Sequence, residues 1–121
     1  MNRKELSTSL IEQFNEQLSQ YVESGQLQEN GIPSIEQIAD KMGISQRYLS
    51  DTLKKETGKT TTEHLQLLLI DEAKNMLLHP SKSIAEVAYE LGFEYPHYFS
   101  KLFKKKEGIS PTAYREKFSV N

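Results

Sequence analysis

Two stretches of the chain carry one pattern of apolar residues, and each time the pattern predicts a pair of short helices. In the second stretch, the apolar positions of one helical face are Ile84, Val87, Ala88 and Leu91. Ser83 precedes them as a predicted N-cap, and Gly92 follows where helices often end at positive φ. Pro96 then suits the first position of another helix, because its missing N–H is not needed there.

That second helix is predicted to bury Phe99, Leu102 and Phe103 and to turn a basic face outward. The outward positions are His97, Lys101, Lys104 and Lys105. Two short helices joined through a glycine turn, the second with a basic outer face, are typical of a helix-turn-helix. An ordinary packed pair of helices is the alternative for one copy taken alone.

The pattern also occurs earlier, beginning at Ser34. The earlier apolar positions lie 49 residues before their counterparts, at Ile35, Ile38, Ala39 and Met42. After one extra residue in the second turn the offset is 50, which pairs Leu49 with Phe99, Leu53 with Phe103, Lys54 and Lys55 with Lys104 and Lys105, and Gly58 with Gly108. This register indicates a duplicated supersecondary unit.

Two more helices are predicted outside the repeat. An amphipathic stripe predicts a scaffold helix from about Ser7 to Glu23, followed by a turn-rich connection over 24–33; its apolar positions are Leu10, Ile11, Phe14, Leu18, Tyr21 and Val22. Between the copies, Thr60 and Glu63 form a possible capping box ahead of a helix over about Thr62–Leu78.

The helix between the copies is apolar on two sides and is therefore predicted to be buried on two sides. One side holds Leu65, Leu68, Leu69 and Met76, and the other holds Leu67, Ile70 and Leu77. These elements predict an all-α fold in which a long linker helix joins two helix-turn-helix subdomains and fixes their separation. We divide the chain into a first subdomain with its scaffold helix, the linker helix and a second subdomain, at 1–60, 61–79 and 80–121.

Composition narrows the class of protein. The chain has 121 residues and no cysteine, so no disulfide or thiolate metal site is available. No apolar run approaches the roughly 20 residues that span a bilayer, and no secretion signal is evident, which predicts a cytoplasmic protein. Association with the nucleoid is expected only if the chain binds DNA. With three histidines, no HxxxH or HExxH spacing and no glycine-rich loop after a strand, we expect neither an enzyme nor a cofactor nor a metal.

The net charge of −2 hides an uneven distribution. Residues 1–42 carry three basic and seven acidic residues, whereas residues 95–118 carry six basic and two acidic residues. Residues 45–59 hold four basic and two acidic residues. Positive charge therefore collects on the predicted reading helices, as attraction to phosphate requires.

The outward faces of the two reading helices supply the candidate contacts to double-stranded DNA. The base-reading candidates are Ser45, Gln46, Arg47, Ser50, Asp51, Glu94, Tyr95, His97, Ser100 and Lys101. Arg47 suits bidentate recognition of guanine, with a solvated pair to Asp51 as its alternative. Phosphate contacts are predicted for Lys54, Lys55, Lys104 and Lys105, with a solvated lysine face as the alternative.

The sequence leaves two other interpretations open. Aromatic residues could form a stacking platform for the bases of single-stranded nucleic acid. Their helical spacing favours packing in the core instead, and this applies to Phe99, Phe103, Tyr89, Tyr98, Tyr114 and Phe118. A protein-interaction module derived from helix-turn-helix units, without DNA binding, is the other alternative, and the negative total charge leaves room for it.

These residues resemble the DNA-binding domain of the AraC/XylS family of bacterial transcription regulators. The resemblance covers about Ile35 to Phe118 and is closest in IAEVAYELGF and YFSKLFKKKEGISPTAYR. It implies about seven helices and binding to two successive major-groove segments on one face of promoter or operator DNA. It also implies contact with RNA polymerase and a separate effector domain that is missing from this chain, so we expect an excised C-terminal domain and not a stand-alone member.

Three positions depart from that family's pattern. Leu69 lies where members often have arginine, and Asp51 lies where some have a basic or polar reading residue. Tyr95 replaces the small capping residue common before the second reading helix, which leaves the N-cap of that helix open.

Overall fold

The computed structural model describes residues 3–119, apart from the side chains of Arg3, Lys4 and Ser7. Every regular element in this part of the chain is an α-helix, which confirms the all-α class. In chain order the helices are α1 (Arg3–Glu23), α2 (Gln26–Asn30), α3 (Ile35–Met42), α4 (Gln46–Thr57), α5 (Thr61–Leu77), α6 (Ile84–Glu90), α7 (Pro96–Glu107) and α8 (Pro111–Phe118). The pairs α3–α4 and α6–α7 are the two predicted helix-turn-helix motifs, and α5 is the linker helix.

The prediction of a turn-rich connection over 24–33 was wrong in part, because that segment contains α2. This helix of five residues brings the described part of the chain to eight helices, one more than the resemblance implied. Gly25 and Gly31, with φ of 77° and 80°, bound it, and Leu27 is its buried residue. One turn of helix is too short to show a helical period, so the apolar pattern did not reveal it.

A serine side chain caps the first helix of each motif. The Ser34 Oγ accepts from the Gln37 N–H at 3.1 Å, and the Gln37 Oε1 accepts from the Ser34 N–H at 2.8 Å, which completes a capping box. Ser83 caps α6, as predicted, by accepting from the Glu86 N–H at 3.0 Å. These bonds pair backbone donors that a helix start would otherwise leave open.

Contacts divide the chain into two units. The first unit contains the residues up to Gln26 together with Pro33–Leu65. In it, α1 packs on α3 and α4, and the buried apolar residues are Leu10, Phe14, Leu18, Ile38, Ala39, Leu49, Leu53 and Leu65. The scaffold role predicted for α1 follows from this packing.

The second unit joins Leu27–Ile32 to the residues from Gln66 onward. Its buried apolar residues are Leu27, Leu69, Ile70, Ala73, Leu77, Val87, Ala88, Leu91, Phe99, Phe103 and Pro111. The short α2 therefore belongs by its contacts to the second motif, although it precedes the first motif in sequence. The functional division at 1–60, 61–79 and 80–121 stays a prediction.

The linker helix α5 agrees with its predicted bounds to within one residue at each end. Leu65, Leu69, Ile70 and Leu77 are buried as predicted, but Leu67 is 37% exposed and contradicts its assignment to a buried side. Leu68 and Met76 are only half-buried. The Thr60 Oγ1 accepts from the Glu63 N–H at 3.0 Å, whereas the Glu63 carboxylate accepts from the Thr60 hydroxyl at 3.3 Å, not from the backbone N–H that a full capping box uses.

Arg115 of α8 holds the end of α5 within the second unit. Its Nε donates to the Leu77 carbonyl at 2.8 Å and its Nη2 donates to the His79 carbonyl at 3.3 Å. A guanidinium suits this place because the last carbonyls of a helix lack partners and carry partial negative charge. Within the described residues, none of the helices is both long enough and apolar enough to span a bilayer.

Candidate nucleic-acid interface

The first reading helix, α4, is anchored by two fully buried leucines. Leu49 and Leu53 have no exposed surface, and the opposite side of the helix is open to solvent. The exposed residues of that side are Gln46, Arg47, Tyr48, Asp51, Lys54 and Lys55. Ser45 caps the helix by accepting from the Tyr48 N–H at 3.0 Å, so its hydroxyl already has a backbone partner.

Arg47 and Asp51 form the ion pair that the sequence offered as an alternative to base reading. The Arg47 Nε lies 3.7 Å from the Asp51 Oδ2, and the two side chains are 92% and 75% exposed. A pair this open is screened by water and holds the guanidinium only weakly. Arg47 can therefore exchange Asp51 for another acceptor, and its role in reading guanine stays a prediction.

Three other candidates on α4 and α7 were predicted to face outward, but two of them are half-buried and the third has a hydrogen-bond partner in its own chain. Ser50 is half-buried and accepts from the hydroxyl of the buried Thr61 at 3.3 Å, and Ser100 is also half-buried, so neither belongs to the exposed faces. The Lys54 Nζ donates to the Gly58 carbonyl at 3.0 Å, just past the end of α4. This bond is exposed and can be replaced by a phosphate.

The second reading helix, α7, has the same design. Phe99 and Phe103 are fully buried, whereas Leu102 is only half-buried, contrary to its predicted burial. His97, Lys101, Lys104 and Lys105 are exposed as predicted, and so is Glu94 before the helix. Tyr95 stands at the N-cap and makes no side-chain capping bond, which answers the question that the sequence left open.

The aromatic residues divide into a core set and an exposed set. Phe99 and Phe103 lie in the core and Tyr114 is half-buried, but Tyr89, Tyr98 and Phe118 are 53%, 56% and 48% exposed, so their predicted core packing was wrong. Helical spacing alone does not distinguish a residue at the edge of the buried face from one outside it.

Tyr98 belongs to a group of rings that sequence reasoning missed. Its ring centroid lies 4.2 Å from that of His97 and 5.7 Å from that of Tyr95, and Tyr95 is itself 49% exposed. Tyr48 occupies the matching place on α4 and is 50% exposed. The offset of 50 that pairs Tyr48 with Tyr98 was a signal available in the sequence.

The positive charge on the surface of α7 depends on where its acidic residue, Glu107, finds a partner. On α7, Glu107 is turned to Lys74 of α5, where the carboxylate lies 2.8 Å from the ammonium. The Glu107 carboxylate raises the pKa of Lys74 through this bond, against the opposing effect of burial. The exposed lysines of α7 are therefore not neutralised by their own helix. No cluster of metal-binding side chains occurs among the described residues.

Comparisons with known proteins give relatives of one kind. A family model described as a helix-turn-helix domain matches residues 38–117. The HTH-type transcriptional activator RhaS of Citrobacter koseri is 37% identical over 81 residues, which cover 67% of this chain and 29% of that protein. The chain spans about half, or less, of the length of the curated relatives that it matches.

Two solved structures share the fold. The C-terminal domain of AraT, a response regulator from Geobacillus stearothermophilus, has a TM-score of 0.75 and 29% identity, over 90% of this chain and 88% of that chain. The DNA-binding domain of AdpA, solved in complex with a target DNA, has a TM-score of 0.73 and 26% identity, over 87% and 91%. The family model matches more than half of the residues of this chain. The chain therefore belongs to the AraC-type family of helix-turn-helix transcriptional regulators.

Proposed function

We propose that α4 and α7 are the two DNA-reading helices of this regulator and that each inserts into one of two successive major-groove segments. The observation that supports this most directly is the repetition of one design. Each helix has twelve residues, is anchored on two fully buried apolar side chains, and carries lysines at matching positions of its exposed side. A helix of this kind fits the width of the major groove of B-DNA.

Within this proposal the residues divide by chemistry. Arg47, Lys101 and His97 read base edges, because they are exposed and lie in the first half of their helices, where recognition helices contact bases. Lys54, Lys55, Lys104 and Lys105 contact phosphates and hold register, since an ammonium on a flexible stem carries little sequence information.

The same proposal extends to the cell. The family is one of transcription regulators, not of enzymes, and we propose that this chain has no catalytic activity of its own. It acts in the cytoplasm on promoter DNA, with RNA polymerase as its protein partner and with an effector domain elsewhere in the full protein. Relatives that are longer than this chain support the last point.

The first experiment is a selection of bound duplexes from random DNA, followed by titration of the best site at several salt concentrations. We expect Lys104→Ala to weaken binding to the selected and to a scrambled site alike, and to reduce the slope of log Kd against log salt by about 0.9. Lys41→Ala is the matched control. Lys41 is also exposed, but it lies on α3, outside the two proposed reading helices, and its Nζ lies 5.6 Å from the ring centroid of Tyr21 on α1.

Arg47→Ala is expected to behave differently from Lys104→Ala. It should lower the ratio of specific to scrambled binding about tenfold, because a bidentate contact to guanine discriminates by roughly 1–3 kcal/mol. A salt-independent response on every duplex would contradict the proposal and favour the protein-interaction module.

A further inference from the structure

We propose that Tyr98, supported by Tyr95 and His97, forms an apolar surface that recognises the C5 methyl group of thymine. The inference rests on the proposed function of α7 as a DNA-reading helix and deepens it by naming a base and a chemical group. It adds Tyr98 to the reading residues and gives Tyr95 and His97 a shared role.

The first support is that these rings are exposed to solvent and also contact each other. Tyr98 is 56% exposed, Tyr95 is 49% exposed, and His97 is exposed as well. Their rings meet edge to face at 74°, and the Tyr98 ring is tilted by 40° against that of His97. Aromatic rings in edge-to-face or tilted contact attract each other, which favours this grouping of the rings in the free protein.

The second support is position. The three rings lie at the start of α7. Tyr95 is the N-cap, Pro96 is the first helical residue, and His97 and Tyr98 follow in the first turn. In helix-turn-helix proteins the N-terminal residues of the second helix contact base edges in the major groove. Lys101, one turn later on the same exposed side, supplies the charge that holds this turn against the nucleic acid.

The third support is the match between the surface and one base. Among the four bases only thymine presents a methyl group in the major groove, and apolar side chains recognise it by contact. The carbon edge of a tyrosine ring provides such a contact, whereas phosphate and guanine require donors. The tyrosine hydroxyls and the His97 ring can also donate to a phosphate, so the part of this surface that fits a thymine methyl is the ring carbons of Tyr98.

The comparison between the two copies sharpens the inference. Tyr48 on α4 is 50% exposed at the place that matches Tyr98, but its matching neighbours are Ser45 and Arg47. Ser45 is occupied as the N-cap, and Arg47 is polar. We therefore expect dependence on a thymine methyl in the segment bound by α7 and not in the segment bound by α4.

The test replaces each thymine of a selected duplex by deoxyuridine, one at a time, which removes the methyl group and leaves base pairing intact. Dissociation constants are measured by fluorescence anisotropy. We expect one or two positions within one half of the site to lose affinity about fourfold, the effect of one buried methyl group. In Tyr98→Ala the thymine and uracil duplexes should bind equally at those positions.

Two further variants test whether the effect comes from the Tyr98 ring, from its hydroxyl group, or from the loss of any exposed tyrosine. Tyr98→Phe keeps the ring and should keep the fourfold difference. Tyr89→Ala removes another exposed tyrosine, 53% exposed on α6, and should also leave the difference unchanged.

Several results would overturn the inference. If uracil replaces thymine at every position without loss while binding stays specific and salt-dependent, the inference fails and the proposed function stands. Equal weakening of thymine and uracil duplexes by Tyr98→Ala, with the difference retained, would also overturn it, as would tighter binding of the single strand than of the duplex. Absence of binding to any duplex would overturn both the inference and the proposed function.

Discussion

Gly92 lies where two backbone segments of the second unit come into close contact. Its φ is 93°, and a Cβ built on it would lie 2.8 Å from the Leu27 carbonyl oxygen and 2.9 Å from the Ile32 nitrogen. Both neighbours are backbone atoms, which cannot rotate away as a side chain can. Glycine is therefore required here both by its conformation and by the space that α2 and its following turn occupy.

We predict that Gly92→Ala lowers the free energy of unfolding by about 3 kcal/mol, through the left-handed conformation together with the displaced backbone. Gly108→Ala is the matched control, because Gly108 has a φ of 85° but open space around its Cβ position. That change should cost only about 1 kcal/mol. Urea unfolding followed by circular dichroism measures both, and equal losses would argue against the contact with α2.

His64 is the residue whose environment predicts a dependence on pH. Its Nε2 lies 2.8 Å from the Thr57 Oγ1, and its ring meets Phe14 edge to face with centroids 5.7 Å apart. Burial lowers the pKa of His64, Lys59 lowers it further, and Glu63 acts in the opposite direction. The neutral ring is therefore favoured in the folded protein.

We predict that stability falls as the pH drops below about 6.5, the ordinary pKa of histidine. The unfolded chain binds the proton more readily than the folded chain in that range, so protonation favours unfolding. His64→Gln should flatten the dependence of the urea midpoint on pH between 7 and 5. His79→Gln, at an exposed histidine, should leave the dependence in place, and an unchanged slope in the His64 variant would contradict the prediction.

At the scale of the elements, the end of α5 depends on a side chain from α8. Arg115 donates to carbonyls 38 and 36 residues earlier in the chain. These two bonds close the second unit around its core, in addition to the bond between Lys74 and Glu107. The contacts made by α8 thus complete the second motif.

We predict that Arg115→Ala destabilises the protein by about 1.5–3 kcal/mol, because it removes a charge-assisted bond to the carbonyl of Leu77, which is partly buried, and an exposed one to the carbonyl of His79. Lys117→Ala, at an exposed lysine of the same helix, should change the free energy of unfolding by less than about 0.5 kcal/mol. Thermal or urea unfolding distinguishes the two, and similar values would show that Arg115 contributes only as a surface charge.

The elements also show how far the sequence determines the fold. The repeat located α3, α4, α6 and α7 because each carries a full helical period of apolar residues. It did not locate α2, which has one buried side chain. Nor did it indicate the bond between Ser50 and Thr61, since partners eleven residues apart on different helices leave no local signal.

The site was predicted less completely than the fold. Charge and periodicity identified the exposed lysines of both reading helices, because burying a lysine is costly and the pattern marks the face away from the core. Tyr98 was assigned to the core, since an aromatic residue near the edge of a buried face has the same spacing as one inside it. Only coordinates separate the two cases.

For the whole molecule, the distribution of charge matters more than its sum. The formal net charge is −2, which alone would repel a polyanion. The exposed lysines of α4 and α7 nevertheless give each reading helix a positive surface. Under the proposed function, attraction to DNA depends on where the lysines lie and not on the net charge.

This predicts different behaviour from two variants of equal net charge. Changing Lys54, Lys55, Lys104 and Lys105 to glutamine should abolish measurable binding to random duplex near 0.15 M salt and flatten its salt dependence. Changing four lysines outside the reading helices, Lys41, Lys59, Lys82 and Lys117, should leave most of the affinity. Equal losses in gel-shift titrations would mean that total charge controls association.

The absence of a side-chain cap at Tyr95 has a consequence for how binding preference can change. Ser45 performs a structural task at the start of α4, so altering it weakens the helix as well as any contact with DNA. Tyr95 makes no capping bond, and Pro96 already sets the entry into α7. We therefore expect substitutions of Tyr95 to cost less folding stability than substitutions of Ser45, so that under the proposed function the second copy can change its binding preference at this position with less harm to the fold.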